Sequence, residues 1–242
     1  MTHAPAIVSD TSTPASSASP ADVVSVAANA SKKPKQDTIA MCQLLMELGR
    51  EFHSRGWSLG TSSNYSVLVD DDPFELLITA SGKDKSCLTE DEFVLVGNDG
   101  LPVCSGQPKS SAETMLHVAL AKRPGIGSVL HTHSVWSTIL SDHFGDQGIL
   151  NITDYEMLKG LAGVTTHQHT QQVRIYPNTQ NIKQLAAQLS QDLDAKDPAL
   201  SHGLLLRNHG LYTWGKDLDE ARRHVEIFEF LFEVIGRKLS KN

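Results

Sequence analysis

From residue 37 onward the chain alternates between two apolar spacings, and this alternation limits the folds open to it more than any other feature. "DTIAMCQLLMELGREFHSR", residues 37 to 55, sets Ile39, Cys42, Leu45, Met46, Leu48 and Phe52 at helical intervals, with Asp37 in the capping position and Gly56 as the stop. "YSVLV" and "ELLITA" read as short strands divided by the turn "DDDP". "DEFVLVGNDGLPV" gives a further strand, turning at Asn98, Asp99 and Gly100. "SAETMLHVALAKR" is a predicted helix capped by Ser110 or Ser111, "GSVLHTH" a strand and "SVWSTILSDHF" a helix. A short helix in "EMLKGLAG", a strand in "QVRIYP" and an amphipathic helix in "NIKQLAAQLSQDLD" follow. "HGLLLRNHGLYTWG" reads as a hairpin, or as one strand broken at His209 and Gly210. In the long last helix Ala221, Val225, Phe228, Leu231, Phe232 and Ile235 form one stripe. Helices interleaved with strands on short turns predict a mixed sheet with helices on its faces, in one α/β domain over 37–242.

The first 36 residues break this pattern. They are rich in Ser, Ala, Thr and Pro and hold no large apolar side chain beyond their valines and one isoleucine, too little to offset ordering entropy. They read as a disordered tail; Asp10, Asp22 and the lack of arginine argue against a targeting peptide. The net charge of −7 excludes a broad nucleic-acid surface, and no apolar stretch approaches the ~18 residues of a membrane span. Three cysteines, Cys42, Cys87 and Cys104, are odd in number and far apart, which predicts free thiols in a reducing cytoplasm.

Three stretches carry chemistry. In His131-Thr132-His133 an apolar strand runs into two histidines at i and i+2, which places both imidazoles on one face. Neutral imidazole is the common ligand of zinc and related metals, and a catalytic metal site wants three such ligands with one position open. In "RNHGLYTWG" His209, at a tight break after Leu204, Leu205 and Leu206, is the candidate for the third. In "SSAETMLH" Glu113 either completes a capping box with serine or faces a site, and the amides of that helix start could hold a phosphate. His117, one turn later, either packs in the core or supports that site. A second H-x-H, His167 and His169 in "THQHTQQ", lacks the apolar lead-in and reads as solvent-exposed. "LGTSSNYS" and "TASGKDK" are small-residue loops of the sort whose amides and hydroxyls cradle phosphate, with Lys83 or Lys85 adding charge.

In order, G-T-S-S-N-Y-S, T-A-S-G-K-D-K, S-S-A-E-T-x-L-H, H-T-H-S, E-M-L-K-G and R-N-H-G-L-Y-x-W-G resemble the class II aldolase/adducin family from about residue 38 to residue 238. The resemblance implies a three-layer α/β/α fold around a mixed, mainly antiparallel sheet. It implies a homotetramer with active sites between subunits and one Zn2+ per subunit on His131, His133 and His209; iron or manganese also suit three histidines. It implies a lyase acting on a phosphorylated ketose, with Glu156 and Glu113 as the catalytic acid/base candidates. Asn64, Ser81, Gly82, Ser110, Ser111 and Lys83 would hold the phosphate. Within the family "EMLKG" and "SGKDK" favour a dehydratase over an aldolase or a 4-epimerase, and the intact histidine set argues against a non-catalytic adducin-like domain. One departure is visible. Where the first loop of the family reads T-S-G-N, this chain has Ser63, and a serine at a position needing positive φ would be strained.

Overall fold

A computed structural model describes residues 38–241; the stretch read as a tail, and Asp37, lie outside them. Helix α1 (Thr38–Ser54) buries Cys42, Leu45, Leu48 and Phe52 of the predicted stripe together with Met41, while Ile39 is exposed and Met46 half-buried. Strands β1 (Asn64–Asp71), β2 (Phe74–Thr79) and β3 (Phe93–Val96) come next, then α2 (Thr114–Ala121), β4 (Ser128–Thr132) and α3 (Val135–His143). Beyond them lie β5 (Ile149–Thr153), β6 (Thr170–Tyr176), α4 (Ile182–Asp194), β7 (Gly203–Leu206), β8 (Gly210–Gly215) and α5 (Leu218–Leu239). Glu156–Gly160 forms a short 3-10 turn in place of the predicted helix.

The eight strands form one sheet in the order β3-β2-β1-β4-β8-β7-β6-β5. Every neighbouring pair is antiparallel except β6 with β7. Side-chain alternation then sorts the core. Ile78, Val129, Leu204 and Trp214 pack with Leu116 and Leu120 of α2 and Leu189 of α4. Tyr65, Val67 and Leu130 pack on the other face with α1 and Val225 of α5, and Leu150, Val173 and Leu205 with Phe228 and Leu231 of α5. Helices therefore cover both faces, which makes the three layers. Leu45, Leu130, Phe228 and Leu231 have no exposed surface, and each such side chain contributes about 1.5–3 kcal/mol on burial. No helix of the described residues is long and apolar enough to cross a membrane.

The same alternation aims the site. On β4, Val129 and His131 face the α2/α4 layer, while Leu130 and Thr132 face the other. Thr132 is anchored there, its Oγ1 donating to Oε1 of the buried Glu229 on α5 at 3.1 Å. The strand ends at Thr132, so His133 lies just beyond the ladder, where its backbone N–H donates to the Trp57 carbonyl at 2.8 Å.

Close backbone approach holds the next strand in place. A Cβ added to Gly210 would meet the Thr132 carbonyl oxygen at 2.0 Å. Gly210→Ala is therefore expected to push β8 from β4 and cost about 1–3 kcal/mol, read as a lower melting temperature. A variant that melts with the parent would contradict this packing.

Candidate metal centre and cleft

His131, His133 and His209 converge. Three of their ring nitrogens lie within 4.8 Å of one another. His131 Nε2 is 2.7 Å from His133 Nε2 and 3.3 Å from His209 Nε2. The first two come from the end of β4 and the third from the β7–β8 turn; β4 and β7 flank β8 on its two sides. His131 is oriented twice over. Its Nδ1–H donates to the Leu211 carbonyl at 2.8 Å, and its ring stacks on Tyr212 with centroids 3.9 Å apart. That hydrogen bond places the only proton of a neutral ring on Nδ1 and leaves a bare lone pair on Nε2.

The electrostatics point the same way. Burial drives the His131 pKa well below its ordinary value, and His133 and His209 nearby add to the shift. Burial, then His209 and Lys85, bring His133 down to about 4. Neutral imidazoles are ligands with no proton to displace at neutral pH. Ring nitrogens this close are held by a proton shared between them or by a cation among them. His209 Nδ1 finds no hydrogen-bond partner among the described residues, so nothing competes for the ring's orientation. The donor set fits a divalent metal held by three nitrogens with a further position open.

Glu113 completes the cluster. Its Oε1 is 3.4 Å from His209 Nε2 and its Oε2 is 3.6 Å from His131 Nε2. The predicted helix start shifts to allow this: α2 begins at Thr114, and Glu113 occupies the capping position with no side-chain bond to the helix. Its carboxylate instead accepts from Asn64 Nδ2 at 2.8 Å. Burial, with the Glu113 charge adding to it, pushes the Tyr212 phenol far above its ordinary range.

A cleft of about 280 Å³ opens over this cluster, lined by Asn64, Ser81, Gly82, Ser111, Glu113, His133 and His209 among others. Ser81 and Gly82 lie in one of the small-residue loops, and Gly82 takes φ +70°. Ser110 does not line the cleft; its backbone bridges to Ala80 and so joins two loops. Lys83 turns away and pairs with Glu92 at 3.0 Å. Lys85 is fully buried, its Nζ donating to the Lys83 carbonyl at 2.6 Å, and burial lowers its pKa to about 8. Ser63 does adopt the left-handed conformation, φ +71°, with its hydroxyl 3.4 Å from the Trp57 carbonyl.

Glu156 is not brought to this cleft within one chain. It stands on the surface, its side chain 73% exposed, paired with Lys159 at 2.6 Å, and the Lys159 ammonium holds its carboxyl below the usual range. The exposed His167 faces it at 3.9 Å. Gln180 and Ile182 also line the cleft, and no pattern around them in the sequence marks them out. Tyr212, which stacks on His131, and Trp57, whose carbonyl accepts from the His133 N–H, carry no such mark either. Tyr212 stands directly opposite His131 in the β4–β8 register, which is what stacks the two rings.

Buried neutral histidines make stability depend on pH. Burial lowers His117 to about 3 and His224 to about 4, and His224 Nε2 accepts from the Ala162 N–H, as only an unprotonated nitrogen can. In the unfolded chain each titrates near ~6.5. Their contribution is complete above that value and is lost as pH falls toward the folded pKa. Denaturant unfolding of metal-free protein at pH 5 should show up to about 2 kcal/mol less stability per ring than at pH 7.5. Equal stabilities would mean that the rings do not stay neutral.

A three-layer α/β/α fold with a histidine triad and a facing carboxylate at the sheet rim defines a metal-site protein of the class II aldolase type. The chain belongs to the class II aldolase and adducin N-terminal domain family, which matches residues 43–235. It is 45% identical over 194 residues to a methylthioribulose-1-phosphate dehydratase of Stenotrophomonas maltophilia strain K279a, covering 79% of this chain and 88% of that protein. A methylthioribulose-1-phosphate dehydratase of Pseudomonas fluorescens strain Pf0-1 is 44% identical, over 80% of this chain and 90% of its own. The fold is shared with L-fuculose-1-phosphate aldolase from Thermus thermophilus, with a TM-score of 0.66, 21% identity, and coverage of 85% of this chain and 100% of that one.

Proposed function

We propose that the protein removes water from 5-methylthioribulose 1-phosphate to give 2,3-diketo-5-methylthiopentyl 1-phosphate, a step of methionine salvage, with Zn2+ held by His131, His133 and His209. One observation carries this reading: in a chain about 45% identical to dehydratases of that substrate, three imidazoles and Glu113 meet at the floor of a cleft walled by small hydroxyl residues.

The reaction takes a proton from C3 and expels the hydroxyl at C4; the resulting enol tautomerises to the diketone. When bound, zinc supplies a Lewis acid to the oxygen at C2. The chain's own groups do the rest. Ser81, Gly82 and Ser111 offer donors to the phosphate, with Asn64 bracing Ser111 and Glu113 beside them, and so fix the register of the sugar, which contributes several kcal/mol by positioning. Ser110 supports that wall through its bridge to Ala80, and Lys83 anchors the loop behind it by its pair with Glu92. Glu156 moves the protons, as carboxylate toward C3 and as acid toward the departing hydroxyl. Lys159 keeps it ionised and ready as a base. Because it lies outside its own chain's cleft, a neighbouring copy supplies it, in a homotetramer with sites between subunits. Glu113, already inside, is the second acid/base group.

The test is a product assay on methylthioribulose phosphate beside L-fuculose 1-phosphate, with metal analysis of the same sample. Diketone from the first and no cleavage of the second supports dehydration. Cleavage of the second alone would make the protein an aldolase, and a metal-free, inert protein would make it a binding domain.

A further inference from the structure

We propose that His117 is a positioning residue, fixing the Asn64 side-chain amide in the one orientation that turns its N–H2 group onto Glu113 and Ser111. His117 has no exposed surface and does not line the cleft. Its Nδ1 lies 2.8 Å from Ser66 Oγ, and its Nε2 hydrogen-bonds Asn64 Oδ1. Asn64 Nδ2 in turn reaches Glu113 Oε2 at 2.8 Å and Ser111 Oγ at 3.2 Å. Two strands and a helix bring these groups together: Ser66 and Asn64 alternate along β1, Asn64 stands opposite His131 on β4, and His117 projects from α2.

The direction of this chain follows from proton counting. A neutral imidazole has one N–H. Of the two acceptors within reach of the Ser66 hydroxyl, His117 Nδ1 at 2.8 Å is nearer than the Val129 carbonyl at 3.4 Å, so the hydroxyl donates to Nδ1, and the ring proton sits on Nε2 and is donated to Asn64 Oδ1. The amide must then present its N–H2 to the carboxylate. With the other tautomer the amide would flip, and Oδ1 would face the Glu113 oxygens, acceptor against acceptor. Burial lowers the His117 pKa to about 3, so the ring keeps a single proton at neutral pH. Tyr212 packs edge-on against the ring at 5.6 Å, and the ring has no exposed surface. His117 thus holds Glu113 in place from a distance, through an amide that borders the cleft.

The inference rests on the proposed dehydration for its kinetic readout and has a second readout that does not. His117→Phe keeps the ring's bulk and removes the donor. It should lower kcat/KM about 10- to 100-fold, chiefly in kcat, with metal content unchanged. His117→Gln, which can still donate to Oδ1, should return to within about threefold. In an Asn64→Ala background His117→Phe should add less than about twofold, since the two act as one unit. In 15N-labelled, metal-free protein the Asn64 side-chain amide hydrogens should exchange slowly, and about tenfold faster in His117→Phe. Wild-type kcat/KM in His117→Phe, losses that multiply with Asn64→Ala, or unchanged amide exchange would each overturn the inference. If phenylalanine fails to fold, His117→Met, unbranched and adaptable, carries the same measurements. Failure of the wild type to form diketone would sink the proposed function and leave amide exchange to decide this point.

Discussion

His209→Ala is expected to lose the bound metal and lower kcat/KM by about a thousandfold or more. His131 and His133 remain in this variant, but they sit two residues apart on one strand end and offer only one edge of a coordination sphere. The third nitrogen arrives from the opposite side, from the turn between β7 and β8, and closes the site to 4.8 Å. With it gone, two lone pairs 2.7 Å apart remain, a weak chelate from which dialysis removes the ion. Elemental analysis after dialysis reads the first effect and the diketone assay the second. A variant with full metal occupancy and near-parental turnover would show that His209 is no ligand. The fold should persist, because the His209 side chain is partly exposed and the turn is held by its backbone, with the His209 N–H donating to the Leu206 carbonyl at 3.1 Å.

Glu156→Gln is expected to retain metal yet lower turnover by about 10²–10⁴-fold, the usual contribution of a general acid/base. The substitution removes a proton carrier and keeps the shape of the side chain. Its stability should match the parent, since the carboxylate is largely solvated and its pair with Lys159 is worth little. Mixing sharpens the experiment. Glu156→Gln contributes intact triads, and His209→Ala contributes intact glutamates. If each site draws from two chains, co-assembled variants should recover roughly a quarter of parental activity from two inactive parents. No recovery on mixing, with both variants folded and co-assembled, would place Glu156 in the same chain as the metal it serves, whereas near-parental turnover of Glu156→Gln alone would hand its role to Glu113.

The layered fold was legible because each helix buries a stripe and each strand a face. α1, α4 and α5 read straight from their apolar intervals, with Asn181 and Asp217 capping the last two. The triad was legible too, since His131 and His133 share a face by strand period and Gly210 marks the turn that carries His209. Other features were not. The start of α2 lies later than the sequence suggests, because Ser110 and Glu113 satisfy a capping-box pattern that the structure sets aside: the Glu113 carboxylate gains the Asn64 amide instead. Ser63 holds a left-handed conformation that sequence rules reserve for glycine, at a cost of about 1–2 kcal/mol, because it enters β1 directly beneath the Trp57 carbonyl. The setting of Glu156 depends on the neighbouring copy we infer, and one chain's periodicity carries no information about that. The parallel pairing of β6 with β7 was likewise hidden, as it depends on how α4 returns the chain and not on either strand's composition.

That strand order has a consequence for regulation by abundance. Counting across the sheet, β5, after which Glu156 follows, lies four strand spacings from β4, or about 19 Å. If a neighbouring copy supplies Glu156, a lone subunit would keep its histidines and Glu113 but lack the principal proton carrier. Dilution below the dissociation constant of the assembly should then silence the enzyme while every chain stays folded and loaded, and recovery on reconcentration should follow second-order kinetics.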